Sequence, residues 1–478
     1  MTRTLHIASG LLAGISLLCL NGCAHFHDQP LSLDGVQADF SGRTLADAGL
    51  QSFIARNLQQ PAVASPGAPW DVAKLSLAAF YFHPDLDVAR AQLAGAKAAG
   101  VTAGERPNPT LNLAPAYDTT TGPPWILGLS LDIPIETAGK RRYRIAQATH
   151  LSDAARYQLA AAAWQVRSRV RRTLLALFAA KEVQTLLAEQ ERLQAESVQL
   201  LTAQLQAGAI SPFEVTQSRV ALNQTRFALR DAEKAEATTR VQLSEALGVP
   251  LIALDGVNLS FEDFIRFPTD IPDATARRQA LANRSDILAA LAAYAATQSA
   301  LQLEVAKQYP DIHLGPGYQR DQRDDKWSLG LTVALPVLNH NQGPIAEAEA
   351  RRGESAARFN VLQARVLSEI EQAVAGYRAS VQKVESAQAL NGEISAQLRT
   401  AQGMLGAGEI SRVELAQRQL ELTNAALAQL DALIKTQESL SALEDALQSP
   451  AATVVVSEAS PRTGQVIPTI SPRPTPTD

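Results

Sequence analysis

The stretch Gly208-Ala209-Ile210-Ser211-Pro212-Phe213-Glu214 returns 200 positions later as Gly408-Glu409-Ile410-Ser411-Arg412-Val413-Glu414. The correspondence extends well beyond these two stretches. Further matching segments are His83–Leu86 with Arg284–Ile287, Trp125–Leu131 with Trp327–Val333, and Ile145–Ala146 with Ile345–Ala346. An internal period this long, in which each unit combines long helical runs with two short strands, predicts a duplicated architecture.

Each repeat is predicted to contain a helix, a β-hairpin, a long helix and a return helix, in that order. The helices span about 71–105, 140–206 and 211–247 in the first repeat, and about 275–308, 343–405 and 411–447 in the second. Gly208 and Gly408 permit the left-handed residue that ends a helix, and Ser211 and Ser411 cap the helix that follows. A helix of about 65 residues is about 100 Å long, far longer than a compact domain requires.

The hairpin strands alternate between apolar residues and small or polar ones, with a period of two. The apolar positions are Leu111, Leu113, Pro115, Tyr117, Trp125, Leu127, Leu129, Leu131, Ile133, Ile312, Leu314, Pro316, Tyr318, Trp327, Leu329, Leu331, Val333 and Leu335. Strands of about nine to eleven residues with this alternation are typical of outer-membrane barrels. Trp125 and Trp327 begin their strands, where a membrane-interface aromatic belt would lie. The alternative is a pair of half-buried hairpins in a soluble protein, which show the same alternation.

The number of strands constrains the first of these interpretations. Four strands cannot close a barrel, and an open sheet edge cannot persist in lipid, so a chain whose hairpins span a membrane must oligomerise. Three copies supply twelve strands. Pro115 and Pro316 each remove a backbone donor, which predicts a bulge or a strand end at these positions.

The N-terminus has the pattern of a targeting segment. Arg3 precedes an apolar run at Ile7–Leu20 that is short for a membrane span, and the run ends in Leu20-Asn21-Gly22-Cys23. This ending resembles the lipobox of bacterial lipoproteins, which predicts cleavage before Cys23 and lipidation of its thiol; Ala24 then favours sorting to the outer membrane. An ordinary secretory signal cut nearby is the alternative. After cleavage Cys23 is the one remaining cysteine, so no disulfide is expected.

The chain is accordingly divided into six segments. These are a signal peptide (1–22), a periplasmic leader (23–70) with a short helix near 45–57, a first repeat (71–250), a linker (251–274), a second repeat (275–448) and a Pro/Thr/Ser-rich tail (449–478). The composition of the tail predicts disorder.

Charge and motif content exclude several classes of protein. The net charge is −5, and about −6 without residues 1–22, so nucleic acid is not an expected partner. The sequence has no nucleophile–base motif or phosphate loop, so we expect neither an enzyme nor a bound cofactor. The possible metal ligands are scattered and lack a cysteine partner, so no metal site is expected. They are His25, His27, Asp28, His313 and His340.

The repeat order, the two hairpins and the long helices joined by a Gly-x-x-Ser turn resemble the TolC-like outer-membrane efflux proteins over about residues 70–448. The Cys23 segment matches their lipid-anchored subgroup. Ile135–Arg142 and Leu338–Gly343, just after the second strand of each hairpin, resemble the heavy-metal, CzcC-like branch of that family.

The resemblance implies a mainly α fold with a small β part. A trimeric twelve-stranded β-barrel in the outer membrane would continue as an α-helical barrel through the periplasm. Its implied partners are two further copies of the chain, outer-membrane lipid, a periplasmic adaptor (membrane fusion) protein and an inner-membrane resistance-nodulation-division pump. The implied function is passage of metal cations or small toxic compounds to the outside of a Gram-negative cell.

The resemblance also assigns roles to particular residues. The turns at Gly208–Ser211 and Gly408–Ser411 match the periplasmic tips that contact the adaptor, although capping alone explains Gly and Ser there. Acidic residues after the second tip line the periplasmic gate of the family. Glu414 falls on the first such position and the uncharged Gln417 on the second, while Glu214 follows the first tip; a solvated helix glutamate is the alternative. Lumen-facing strand residues are expected to set polarity without forming a specific site: Asn112, Ser130, Asp132, His313, Ser328 and Thr332.

Two further functional hypotheses remain open at this point. A type I secretion channel for polypeptides has the same fold. A lipid-anchored periplasmic coiled-coil scaffold without a pore explains the long helices and the lipobox, but it leaves the two hairpins of membrane-spanning length unexplained.

Overall fold

A computed structural model describes residues 25–58, 68–119, 124–270, 274–321 and 324–450. The chain divides into two units, at 1–43 and 44–478. The described part of the first unit contains helix α1 (Leu33–Gly42), which the sequence did not predict; the Ser32 hydroxyl accepts from the Gly35 N–H and caps it. The segments 1–22 and 451–478 lie outside the described residues. No described helix is both long enough and apolar enough to cross a membrane.

The second unit contains both repeats, with their elements in the same order. After α2 (Ala48–Leu58), the first repeat comprises α3 (Val72–Phe82), α4 (Pro84–Gly104), β1 (Thr110–Tyr117), β2 (Trp125–Ile135), α5 (Lys140–Gln206) and α6 (Pro212–Leu247). A 3₁₀ turn (Leu251–Leu254) and α7 (Glu262–Ile265) lead to the second repeat. It comprises α8 (Ala274–Asn283), α9 (Ser285–Ala306), β3 (Ile312–Asp321), β4 (Asp324–Val333), α10 (Gln342–Gly406) and α11 (Arg412–Leu447).

The first helix of each repeat differs from the prediction. A single helix was expected over about 71–105 and over about 275–308, but each run is broken. The first break is at His83, whose Nδ1 accepts from the Asp85 N–H at 3.2 Å, and Pro84 then begins α4. The second is at Arg284, which is extended (φ −61°, ψ 130°) and forms an ion pair with Asp286. At the first break, Pro84 disfavours the helical conformation in His83, and the His83 side chain caps the helix that follows. At the second break, Arg284 makes no side-chain cap.

The four strands form one antiparallel sheet in the order β1-β2-β3-β4, so β1 and β4 are its edges within this chain. Neither proline makes the bulge or strand end that the sequence predicted, since the register is constant along each pair. Pro115 lies opposite Leu127 on the edge strand, and Pro316 lies opposite Leu329. The β2–β3 pairing lapses between Ser130↔Gly317 and Ile133↔Leu314, where Pro316 has no N–H to donate. The fourth strand ends at Val333 and not at the predicted Leu335.

Two apolar clusters hold the helices together. The first lies where α3, the middle of α5 and the end of α6 meet, and its fully buried members include Leu75, Leu174 and Leu247. The second joins the middle of α10 to the end of α11 around Tyr377. Burial raises the pKa of Tyr377 to about 12, and its hydroxyl donates to the Pro268 carbonyl.

A buried polar network joins α5 of the first repeat to α11 of the second. Arg171 donates to the Ser441 hydroxyl at 3.0 Å and to Gln437 Oε1 at 3.1 Å, and it lies 3.5 Å from the Glu444 carboxylate. The amide nitrogen of Gln437 in turn donates to the carbonyl of Phe264 in α7, at 3.0 Å. Because every donor named here finds an acceptor, the network fixes the two repeats and the linker in one register.

Candidate functional site

The strand register aligns the apolar residues of all four strands on one face of the sheet. One row runs Leu113↔Leu129↔Tyr318↔Trp327 across the strands. This face is open: Leu329 is 71% exposed and Leu113 is 66% exposed. A contiguous apolar surface of this kind marks an interaction with lipid or another apolar partner, whereas the half-buried hairpin of a soluble protein would cover it.

Aromatic residues gather at the turn end of both hairpins. Trp125 pairs with Tyr117, with ring centroids 5.0 Å apart, and Trp327 pairs with Tyr318 at 4.9 Å. The sequence predicted that both tryptophans begin their strands. Trp125 does, but β4 begins at Asp324 and Trp327 is its fourth residue. The pairing adds the two tyrosines, whose place beside the tryptophans depends on register. The two pairs do not lie level across the sheet, because Tyr318 lies opposite Leu129, four residues along β2 from Trp125. Each hairpin therefore carries its own Trp–Tyr pair, and such pairs are typical of a membrane-interface belt.

The opposite face of the sheet is polar. The register places Asn112 opposite Ser130, His313 opposite Thr332, and Ser328 opposite Gly317, all on this face with Asp132. The six residues predicted to line a lumen therefore share one surface. His313 and Asp132 are 181 positions apart in sequence, yet His313 Nδ1 lies 3.1 Å from each carboxylate oxygen of Asp132.

Ion pairs tie the base of the sheet to the helices. Asp311 accepts from the Thr137 N–H at 2.9 Å and from Lys140 Nζ at 2.7 Å. Partial burial alone raises the pKa of Asp311, but the hydrogen bonds from Lys140 and Thr137 outweigh it and leave that pKa below its usual range. Glu136, which follows β2, forms an ion pair with Arg144 in the first turns of α5. The segment that follows β2, which resembles the heavy-metal branch, thus anchors both hairpins to α5.

The two helical tips have the geometry predicted from Gly and Ser. Gly208 and Gly408 are left-handed, with φ of 72° and 77°. Helices α5 and α10 each end in a Schellman motif, in which the N–H of the residue after the glycine donates back to the helix. The Ala209 N–H donates to the Gln204 carbonyl and the Glu409 N–H to the Met404 carbonyl, both at 2.9 Å.

The candidate gate residues are exposed and also have a capping role. Glu414 accepts from the Ser411 N–H at 3.0 Å and donates its own N–H to Ser411 Oγ at 3.2 Å, which completes a capping box. Glu214 accepts from the Ser211 N–H at 3.4 Å. Gln417 is exposed as well. Among the described residues no hydrogen bond or ion pair joins these side chains across the two tips.

An exposed apolar stripe on α6 escaped the sequence analysis. Phe213, Val220, Phe227 and Val241 fall on a seven-residue grid, with Lys234 at the remaining position, and Phe227 is 71% exposed. Phe213 begins the stripe at the first tip. The same helix also carries Val215, Leu222, Leu229 and Leu243 at seven-residue spacing, and the sequence alone does not tell which of the two rows faces α5.

The leader contains the predicted lipidation residue and two histidines. Cys23 lies outside the described residues, and His25 and His27 are exposed. Across the described ranges, no group of three or more His, Cys, Asp or Glu side chains is arranged to hold a metal ion.

Comparison with known proteins identifies a matching family and a curated relative. The model of the "Outer membrane efflux protein" family matches residues 79–249 and 276–448, which are the two repeats. The chain is 27% identical over 222 residues to the cobalt-zinc-cadmium resistance protein CzcC of Cupriavidus metallidurans. That match covers 46% of this chain and about half (52%) of the curated relative.

Solved structures share the fold at low sequence identity. The outer membrane protein VceC of Vibrio cholerae is 20% identical, with a TM-score of 0.65 over 79% of this chain and 96% of VceC. The Campylobacter jejuni outer membrane channel CmeC is 18% identical, with a TM-score of 0.64 over 90% of this chain and 94% of CmeC. The repeated helix–hairpin–helical-hairpin unit is thus the one these proteins share, and the chain belongs to the outer membrane efflux protein family.

Proposed function

We propose that this chain is the outer-membrane channel of a tripartite efflux system, passing metal cations or small toxic compounds to the outside. The observation that carries the proposal is the four-stranded sheet, which has an exposed apolar face, a polar face and a Trp–Tyr pair toward the turn of each hairpin. A barrel closed from such sheets meets lipid outside and water inside.

Closure requires further copies of the chain, and a homotrimer supplies twelve strands. Edges β1 and β4 present unpaired backbone groups, which lipid does not tolerate. The helices offer matching surfaces. The stripe on α6 is exposed in the single chain, and α10 exposes Val361, Leu367 and Leu390. Contact between α6 of one copy and α10 of the next would cover both apolar surfaces and close a helical barrel.

Membership of the family supports two further partners. The tips at Gly208–Ser211 and Gly408–Ser411 would receive a periplasmic adaptor, which bridges to a resistance-nodulation-division pump. Phe213 offers this partner an apolar contact at the first tip. Metal cations are favoured as cargo by the similarity to a cobalt-zinc-cadmium resistance protein, although that similarity spans about half of the relative.

The anchor and the gate complete the proposal. Lipidation of Cys23 would fix the N-terminus of the mature protein to the outer membrane. A trimer would bring three Glu414 carboxylates around one axis, forming a cation-attracting ring at the periplasmic end, with Gln417 one turn further along the helix.

Single-channel recording in planar bilayers tests the proposed function. The purified full chain should show discrete openings that favour cations over anions. A Glu414→Ala variant belongs in the same experiment. A resting channel with a closed tip conducts little, and loss of the capping contact between Glu414 and the Ser411 N–H should loosen the tip. If both proteins are electrically silent, the channel proposal is wrong and the coiled-coil scaffold takes its place.

A further inference from the structure

The polar face of the sheet contains one pair of side chains with the chemistry of a metal chelate. His313 and Asp132 come from different repeats, and the β2–β3 register brings them together. His313 Nδ1 is 3.1 Å from both carboxylate oxygens of Asp132, and each side chain is about two-fifths exposed. Both groups are therefore held in place and remain open to ions in the lumen.

The separation of the two ligands fits a bound divalent metal. Zinc lies about 2.0–2.1 Å from a histidine nitrogen and about 2.0–2.2 Å from a carboxylate oxygen. Two such ligands on a tetrahedral ion are about 3.3 Å apart. The observed 3.1 Å is close to this spacing. A bound ion takes the lone pair of Nδ1, so it would replace the proton that Nδ1 otherwise shares with the Asp132 carboxylate, while Nε2 carries the remaining N–H of the ring.

The surroundings leave the His313–Asp132 pair accessible. An open pocket of about 650 Å³ lies over it, lined also by Asn112, Thr332 and Asp311. The Asp311 carboxylate is already paired with Lys140 at 2.7 Å. For Asp132, by contrast, His313 is the one ion-pair partner found among the described residues, so no lysine or arginine described there pairs with the Asp132 carboxylate.

We propose that His313 and Asp132 form a transit site for borderline divalent transition metals, such as zinc, cobalt or nickel, within the conduit. An imidazole together with a carboxylate favours these ions over magnesium and calcium, which prefer oxygen ligands alone. Two protein ligands hold an ion weakly and leave its other positions to water. Weak binding suits a channel, because a site that holds its ion tightly stops conduction.

The inference rests on the proposed function for its biological role, but its test does not require an open channel. The full chain is purified in detergent without a polyhistidine tag, in a background where His25 and His27 are replaced by Ala. Cobalt(II) binding is followed by its absorption spectrum and by titration calorimetry. One ion per chain is expected, and magnesium at the same concentration should not displace it.

Two variants assign the bound ion to the pair. His313→Ala and Asp132→Asn should each weaken cobalt binding by about tenfold or more, since loss of even an outer-shell partner costs that much. His340→Ala, on an exposed residue outside the strands, should leave binding unchanged and serves as the matched control.

The outcomes of this experiment test the metal site independently of the proposed channel function. Cobalt binding that is lost in both variants supports the site, even if the protein proves electrically silent and the proposed function fails. Absence of cobalt binding in the background protein, or equal binding in that background and in His313→Ala, overturns the site. Neither result alters the conductance experiment, which tests the channel independently.

Discussion

At the scale of single residues, the two repeats use different side chains at the break between their first two helices. His83 and Arg284 hold corresponding positions, each between two helices, and both are buried. Burial lowers the pKa of His83, and the nearby Arg169 adds to that effect, although Asp85 opposes it. Arg284 instead carries a permanent charge, which it shares with Asp286 at 2.6 Å. The first repeat therefore contains a titratable group where the second has a fixed ion pair.

This difference predicts a pH dependence of stability that belongs to His83. In the unfolded chain the imidazole titrates near its ordinary value of about 6.5, and in the folded chain it titrates lower. As the pH falls below about 6.5, the unfolded state binds the proton more readily, so the folded state loses stability; above that value His83 contributes no pH dependence. His83→Asn retains a capping side chain but cannot titrate. Its thermal midpoint should fall less than that of the wild type between pH 7.5 and pH 5.5.

Asp286 provides the control for that experiment. Burial alone raises the pKa of Asp286, but its hydrogen bonds and ion pair with Arg284 outweigh this and lower the pKa below its usual range. The carboxylate consequently stays ionised from pH 7.5 to 5.5. Asp286→Asn should lower the thermal midpoint by a similar amount at both values. An unchanged pH slope in His83→Asn would show that His83 is not the group responsible.

The charge of Glu414 can be separated from its capping role. A carboxylate about 8 Å from a passing ion interacts with it by about 0.5 kcal/mol in water, so three contribute about 1.5 kcal/mol, or about tenfold in local cation concentration at low salt. Glu414→Gln removes the charge but keeps an oxygen that can accept from the Ser411 N–H. We expect the cation-to-anion permeability ratio to fall by roughly threefold to tenfold in bilayer recordings.

The first tip supplies the matched comparison for the gate. Glu214 has a similar capping contact, with Ser211 at 3.4 Å, but the family resemblance assigns the gate to the second tip. Glu214→Gln should therefore change the permeability ratio much less than Glu414→Gln. Equal effects of the two substitutions, or none from either, would remove Glu414 from the gate.

At the scale of elements, the long helices and the hairpins could be predicted from sequence because their signals are local. Alternation with a period of two identifies a strand, and Gly followed by Ser marks where one helix ends and the next begins. The break at Arg284 was missed because Ser285 and Asp286 suit both a helix interior and a helix start. The contact between His313 and Asp132 was beyond sequence reasoning, since it depends on pairing β2 with β3, and no local signal encodes that pairing.

The tips allow the conformational requirement for glycine to be measured directly. Gly408 has φ of 77° and no atom near the position of an added Cβ, so alanine there suffers from the backbone conformation alone. Gly408→Ala should cost about 1–2 kcal/mol of stability. Gly392, inside α10, is equally open but right-handed helical, and Gly392→Ala should stabilise by about 0.5–1 kcal/mol. Denaturant unfolding followed by circular dichroism measures the free energy of unfolding of each variant. If both substitutions raise it, or both lower it, this account of the tip is wrong.

At the scale of the whole molecule, the exposed surfaces of one chain make sense as the covered surfaces of an assembly. The edges β1 and β4 belong to the sheet, whereas the exposed stripe on α6 belongs to the helices, and the proposed trimer accounts for both. A trimer would pair the edges and bury the stripe together. The two interfaces can be tested separately, because a substitution on α6 leaves the strand pairing untouched.

Phe227 is the residue of choice for testing the helical interface. It is 71% exposed in the single chain, and burying a phenylalanine contributes about 1.5–3 kcal/mol, so three interfaces gain about 4.5–9 kcal/mol. Phe227→Ser should therefore lower the temperature at which the trimer dissociates on a gel, while the strand ladder keeps some trimer intact. Arg219→Ser, at an exposed position of α6 away from the stripe, should leave that temperature unchanged. If both variants dissociate like the wild type, α6 does not face a neighbouring copy, and its apolar stripe would instead be available to the adaptor along the outside of the helical barrel.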